Sequence, residues 1–205
     1  RVVTATSTNA LTLTNVANSF AGAFNGNGAG LTGVNATLLD GLDSVNFWQT
    51  GGNTLAGGEF IGSVNSQPLV LRVNNLRGLT LQPDLRGGGA DAPSLVGGSS
   101  VNTVHTNTGG SAIVSGGYAG LPNTVESGAN GVFIGAGSGN VVTTNSSDSF
   151  IGGGLRNRAI RPTTVVGGGY QNTAGGDASG PGGDSGAVLG GYFNAALGNN
   201  AFVGA

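Results

Sequence analysis

Pairs of apolar residues followed by a glycine run recur through the second half of the chain. An asparagine follows each complete run within a few positions, and the pairs are separated by steps of 14 to 23 residues. The second members of the pairs are Val96, Val114, Ile134, Ile151, Val166, Leu189 and Val203. A unit this short holds two brief strands and two tight turns, but it is too short for a helical repeat. The pattern therefore predicts a parallel β-solenoid, or β-roll, of about seven short coils.

Both members of each pair are apolar, and successive residues of a strand point to opposite faces. The first members are Leu95, Ile113, Phe133, Phe150, Val165, Val188 and Phe202. One apolar face can fill the interior of the solenoid, whereas the other needs a covering partner. No segment shows the sustained helical period that a covering helix would need. We therefore expect a homo-oligomer, in which the second members form the core or oligomer column.

The asparagines that follow the glycine runs are predicted to have a structural role. Asparagine tolerates left-handed backbone angles and hydrogen-bonds turn backbone, and asparagines stacked coil on coil can form side-chain amide ladders. Glycine permits positive φ and the close approach of a neighbouring backbone. The asparagines are Asn102, Asn123, Asn140, Asn157, Asn172 and Asn194.

The first half of the chain has a different pattern. Apolar residues recur at every second position before and after Asn74-Asn75, at Leu69, Leu71 and Val73 and again at Leu79 and Leu81, which predicts a β-hairpin. A short helix is predicted near Leu38 to Trp48, capped by Asn35 or Thr37 and weakened by Gly41.

Three regions follow from these patterns. Residues 1–50 form a connector with a strand, a glycine-rich loop and the short helix, and 51–90 form a β-hairpin collar. Residues 91–205 form the β-roll repeat domain. Because the last apolar pair stops before its turn, we expect the polypeptide to continue beyond Ala205.

The composition is compatible with a folded repeat protein. Glycine contributes 43 of the 205 residues, yet 38% of the chain is hydrophobic and only 8% is charged, unlike a solvated disordered chain. The net charge of −2 gives no electrostatic reason to bind nucleic acid or an anionic membrane. No apolar stretch approaches the ~18 residues that a membrane span needs. We predict no nucleic-acid partner and no membrane insertion by this segment.

Signatures of enzymes and cofactor sites are weak. The sequence GAGLTG at 28–33 has dinucleotide-binding spacing without the flanking strand and helix, and no lysine is present for a P-loop. His105 is the only histidine, so a two-histidine metal site is excluded, and a solvent-facing position is expected for it. Cysteine is absent, which excludes thiolate ligands. We predict no catalytic residues, no metal site and no cofactor.

Two groups of acids offer alternatives to this prediction. The insertion at 175–186 offers Asp177 and Asp184 to calcium but lacks the regular calcium-binding repeat, so an inserted loop is favoured. Asp40 and Asp43 are three residues apart and could serve as the carboxylate pair of a glycan-degrading β-helix. A solvated or capping role is favoured for them.

The three tyrosines are the candidate ligand contacts. Tyr118, Tyr170 and Tyr192 each follow a glycine run, and stacked coils would place them in a loose column along one edge. Exposed aromatic side chains contact sugars and proteins, although packing over glycine backbone is the alternative. With the insertions at 118–122 and 175–186, they form the expected adhesive surface.

Two stretches of the repeat domain, TVVGGGYQNTAGG at 164–176 and NAALGNNAFVGA at 194–205, resemble the head repeats of trimeric autotransporter adhesins. The resemblance covers about 95–205, where the insertions and glycine triplets are less regular than in that family. It implies a left-handed parallel β-roll that trimerises along a shared apolar core. Residues 20–48 and 60–83 resemble the segments that precede such repeats in tail-fibre-type proteins.

We therefore expect a non-enzymatic structural or adhesive fibre protein, extracellular, on a bacterial cell surface or a phage or injection-particle appendage. Its expected partners are further copies of itself, as a homotrimer, and a host or surface glycan or protein receptor. Two alternatives stay open: a receptor-binding tail fibre of a phage or contractile injection particle, and a β-helical glycan-degrading enzyme.

Overall fold

The computed structural model describes residues 51–52, 54, 57–58, 60–84, 86, 92–176 and 185–204, together with the short strands at 38–39 and 42–43. All regular secondary structure in these residues is β. The chain divides into two compact units, Arg1–Glu59 and Phe60–Ala205.

The first unit contains an antiparallel pair, β1 (Leu38–Leu39) and β2 (Leu42–Asp43). The helix predicted near Leu38 to Trp48 is therefore wrong at these residues. The dipeptide between the two strands is Asp-Gly, which favours a two-residue hairpin turn, and its glycine disfavours a helix. The proposed caps at Asn35 and Thr37 lie outside the described residues.

The second unit opens with the predicted hairpin. Strands β3 (Leu69–Val73) and β4 (Leu76–Gln82) pair antiparallel. The turn residues Asn74 and Asn75 have φ values of 49° and 58°, as a tight hairpin turn with positive φ at both positions requires. Strand β4 then pairs antiparallel with β5 (Ser94–Gly97), which is the first strand of the solenoid. The hairpin therefore extends one sheet of the solenoid, the nine-stranded sheet described below.

From β5 onwards, successive strands alternate between two parallel sheets. The nine-stranded sheet contains β3, β4 and β5, followed by β7 (Ala112–Ile113), β9 (Phe133–Ile134), β11 (Phe150–Ile151), β13 (Val165–Val166), β15 (Ala187–Val188) and β17 (Phe202–Val203). The six-stranded sheet contains β6 (Thr103–Val104), β8 (Thr124–Val125), β10 (Val141–Val142), β12 (Arg158–Ala159), β14 (Thr173–Ala174) and β16 (Ala195–Ala196). The predicted parallel β-solenoid is confirmed, with six full turns and β17 opening the next.

Two facing columns of apolar side chains fill the interior. The nine-stranded sheet contributes Val96, Ile113, Ile134, Ile151, Val166 and Val188, with Val203 partly buried at the end. The six-stranded sheet contributes Val104, Val125, Val142, Ala159, Ala174 and Ala196. Burial of these columns between the sheets removes apolar surface from water, which is the main force that holds the coils together.

Two of the seven residues expected in the core column lie outside it. Val114 is 46% exposed and Leu189 is 55% exposed, because Ile113 and Val188 occupy the interior in those coils. Each of the two coils has three consecutive apolar residues, Ala-Ile-Val and Ala-Val-Leu, and the strand begins at the alanine. A shift of one residue along a strand exchanges its two faces.

The predicted asparagine ladder is confirmed. The backbone N–H of each asparagine donates to Oδ1 of the asparagine one coil earlier, at 2.9–3.1 Å, over five successive steps. The amide Nδ2 groups donate to backbone carbonyl oxygens of their own coil and of the next, as Asn140 does to Ala136 and Gly154. These hydrogen bonds satisfy buried backbone at the corner between the sheets.

The positive φ values at this corner belong to other residues than the asparagines. In three coils the residue before the asparagine has the left-handed conformation: Arg156 at 58°, Gln171 at 53° and Phe193 at 56°. The ladder asparagines themselves have negative φ, although asparagine tolerates the left-handed conformation. An inward-pointing asparagine follows the extended alternation of its strand, which places it on the same face as the core residue two positions later.

A partly buried ion pair lies where the hairpin meets the first coils. Arg86 pairs with the Asp84 carboxylate, which also accepts hydrogen bonds from the backbone N–H groups of Arg86 at 3.0 Å and Ala92 at 3.2 Å. These hydrogen bonds, first of all the one from the Arg86 side chain, hold the pKa of Asp84 far below its usual range.

Replacing Asp84 with asparagine is expected to lower the urea midpoint at pH 7 and to lower it less near pH 2. A folded-state pKa below that of the unfolded chain gives stability that is present above about pH 4 and is lost as pH falls toward the folded-state value. Urea titrations at both pH values measure the difference. Asp148→Asn, at a carboxylate with no ion pair among the described residues, is the control. A deficit of Asp84→Asn that is the same at both pH values would contradict the assignment.

Candidate functional site

The outer face of the nine-stranded sheet is apolar along its whole length. Its residues form two parallel rows in register. One row is Leu69, Leu81, Leu95, Ala112, Phe133, Phe150, Val165, Ala187 and Phe202. The other is Leu71, Leu79, Gly97, Val114, Gly135, Gly152, Gly167, Leu189 and Gly204. Neither row contains a charged or hydrogen-bonding side chain, and we call this surface the apolar face.

Two stacked aromatic rings lie in the middle of the apolar face. Phe133 and Phe150 stack with centroids 5.2 Å apart and planes 5° from parallel. Each ring leans over the glycine two residues later, so that a Cβ placed on Gly135 or Gly152 would lie 3.3 Å from the ring. The two phenylalanines are nevertheless 38% and 40% exposed, although they lie on central strands. A strand spacing of ~4.8 Å makes the apolar face about 40 Å long.

The outer face of the six-stranded sheet is mixed and more polar. It also has two rows: Thr103, Thr124, Val141, Arg158, Thr173 and Ala195 in one, and His105, Glu126, Thr143, Ile160, Gly175 and Leu197 in the other. His105 is exposed here, as expected from the sequence. The two outer faces of the solenoid therefore differ in chemistry.

An open groove follows the second of these rows. Its main cavity, about 620 Å³, is lined by Glu126, Thr143, Thr144, Arg158, Ile160 and Arg161, among others. A second cavity of about 250 Å³ begins at His105 and shares Glu126 and Thr144 with the first. Because the two cavities share a wall, we treat them as one feature and call it the polar groove.

The structure brings two of the three candidate tyrosines together. Tyr170 and Tyr192 pair across adjacent coils and stack with centroids 5.1 Å apart. Phe193, which the sequence analysis did not single out, contacts Tyr192 edge to face at 4.5 Å. Tyr118 lies apart from this column, because it bridges to Leu121 within its own inserted loop. A role for any of them in ligand contact stays a prediction.

The acidic candidates are mostly outside the described residues. This is so for Asp40, Asp177 and Asp184, whereas Asp43 lies in β2. Among the residues that the structure describes, no cluster of three His, Asp or Glu side chains is arranged to hold a metal ion. The same residues include no helix with the length and hydropathy needed to cross a bilayer.

Comparison with known proteins identifies no relative. The chain matches no family model, no curated protein and no solved structure. The resemblance to adhesin head repeats therefore stays a prediction that rests on its two motifs. The function of the chain is inferred from its two outer faces.

Proposed function

We propose that the chain forms part of a non-enzymatic extracellular fibre, as a structural stalk or adhesive head that assembles from identical copies, most simply a homotrimer. The observation that carries this proposal is the apolar face. It is an ordered sheet surface without a polar side chain, and an isolated soluble protein rarely leaves a contiguous apolar surface of this extent in water.

A second copy of the chain is the occupant that fits the apolar face best. An identical solenoid that lies alongside has the same two rows with the same coil spacing. Protruding side chains of one copy can therefore pack against glycine positions of the other over the full length. The exposed phenylalanines and leucines are the protruding side chains, and the glycines beside them leave space. Burial of apolar surface contributes about 25 cal/mol per Å², and cyclic symmetry closes the assembly. The resemblance to trimeric adhesin heads favours three copies.

The described coils offer little support for the glycan-degrading alternative. Glycoside hydrolysis by the common mechanisms uses two carboxylates on opposite sides of the scissile bond. Glu126 and Asp148 are the acids on the described coils from 94 to 203. Glu126 lies on the polar groove, whereas Asp148 lies in the turn before β11. A fibre role therefore agrees better with the residues on these coils.

Replacing Phe150 with glutamate is expected to weaken self-association at least about a hundredfold, because the variant buries a charge and loses an aromatic contact in every copy. Equilibrium sedimentation should give a trimer mass for the unchanged chain and a monomer mass for the variant. Val141→Glu, the same kind of change on the opposite sheet, is the matched control and should leave the mass unchanged.

Urea titration of both variants should show that the coils remain folded, since both positions point outward. A folded, monodisperse monomer of the unchanged chain at micromolar concentration would overturn the proposal. So would an equal loss of mass in Val141→Glu and Phe150→Glu.

A further inference from the structure

The polar groove runs along the axis of the solenoid. Its floor is the row from His105 to Leu197, one residue per coil, and a coil spacing of ~4.8 Å makes this row about 24 Å long. Its two cavities of about 620 and 250 Å³ fall in or near the size range of small-ligand sites. A site that is long, open and parallel to the axis suits an extended chain better than a compact molecule.

Arg158 is one of two basic side chains that line the groove, and it has no partner among the described residues. Arg158 points outward from β12, is exposed, and makes no side-chain hydrogen bond or ion pair with the described residues. Among those residues the ion pair is Asp84–Arg86, far from the groove in sequence. An unpaired guanidinium at the wall of a cavity favours an anion, and its planar fork matches a carboxylate.

The acidic side chain in the groove is Glu126, and hydrogen bonds hold one of its two carboxylate oxygens in place. Glu126 accepts hydrogen bonds through Oε2 from the backbone N–H and the hydroxyl of Thr144, both at 3.0 Å. Its Oε1 accepts none from the described residues, so it can accept from ligand hydroxyls. Ile160 also lines the groove, in the same row as Glu126 and in the same coil as Arg158, and offers an apolar contact.

Glu126 and Arg158 are two coils apart, about 10 Å along the axis, and they do not form an ion pair with each other. One ligand that satisfies both must carry a carboxylate and hydroxyl donors, spaced along an extended chain with apolar C–H faces. Each unit of a polyuronate supplies all of these groups. An acidic peptide supplies the carboxylates without the hydroxyls.

We propose that the polar groove binds a linear, carboxylate-bearing polysaccharide laid along the axis of the solenoid, with Arg158 pairing a carboxylate and Glu126 accepting from sugar hydroxyls. The proposal rests on the adhesive role and names the class of ligand. It leaves the apolar face free for the partner copies, because the groove is on the opposite sheet.

The test is calorimetric titration of the 205-residue chain with a galacturonate hexasaccharide at low salt. Arg158→Gln should weaken binding at least about tenfold, the usual effect of losing a charged hydrogen-bond partner. Arg156→Gln makes the same charge change two residues earlier, at an exposed turn position that does not line the groove, and should stay within about twofold. The methyl-esterified hexasaccharide should bind the unchanged chain at least about tenfold more weakly, because it lacks the charge.

Three results would overturn the proposal: no binding at millimolar oligosaccharide, equal weakening by the two arginine variants, or equal affinity for an oligoglutamate of the same charge. Sedimentation separates this proposal from the previous one. An oligomer that does not bind the oligosaccharide would overturn the groove alone, whereas a binding-competent monomer would overturn the fibre assembly alone.

Discussion

Replacing Gly169 with alanine is expected to destabilise the solenoid by about 3–5 kcal/mol, whereas the same change at the adjacent Gly168 should be neutral or slightly stabilising. Gly169 has φ of +89°, which a residue with a side chain rarely adopts. A Cβ there would also overlap the carbonyl oxygen of Gly191 in the next coil and lie 2.6 Å from Nδ2 of Asn172. At Gly168 a Cβ meets no heavy atom within 4 Å.

Urea unfolding of the two single variants measures the difference directly, because they differ by one position within one glycine triplet. Gly168→Ala also restricts the unfolded chain, which is worth up to about 1 kcal/mol in its favour. Equal losses for the two variants would contradict the assignment. They would mean that the triplet is needed for its flexibility and not for the close contact between coils.

The same close contact repeats along the solenoid. The equivalent glycines all have positive φ, and a Cβ on each of the first five would overlap the backbone of the glycine one coil later; they are Gly98, Gly116, Gly137, Gly154, Gly169 and Gly191. Each coil therefore approaches the next through bare backbone at this corner. A single glycine run can be mistaken for a phosphate-binding loop. In the stacked coils its glycines instead allow the backbones of neighbouring coils to come into direct contact.

The solenoid and its ladder could be predicted because their signals recur and have few alternatives. An apolar pair, a glycine run and an asparagine in every copy fit a short stacked coil and little else. The residue of each strand that points inward was harder to predict. In Ala112-Ile113-Val114 every residue is apolar, so the sequence pattern does not show which one is buried. Only the hydrogen-bonded pairing of Ile113 with Val96 and Ile134 decides it.

The candidate site was less accessible from the sequence. Tyr170 and Tyr192 could be paired because they occupy the same place in two neighbouring coils, while the insertion after Tyr118 removes it from the column. Glu126 and Arg158 carry no local motif, since outward positions of the six-stranded sheet vary freely between coils. Stacking alone brings them to one groove, so the groove could not be found by spacing.

Replacing Asn140 with aspartate is expected to cost about 3–5 kcal/mol at pH 7. Asn140 is fully buried, and its Nδ2 donates to Oδ1 of Asn123 at 3.0 Å and to the carbonyl oxygens of Ala136 and Gly154 at 3.1 and 3.0 Å. Aspartate has nearly the same shape but directs an oxygen at these three acceptors. The loss therefore measures hydrogen bonding and charge, since the change leaves no cavity.

The pH dependence of this variant separates the ladder from a simple packing effect. Burial among acceptors raises the pKa of the new carboxyl, so the deficit relative to the unchanged chain should shrink as pH falls and the protonated acid regains one donor. Asn199→Asp, at an exposed turn position, is the control and should change the urea midpoint little at any pH. A deficit of Asn140→Asp that is small at pH 7, or that does not change with pH, would mean that the coils are held by their apolar columns and glycine contacts without the ladder.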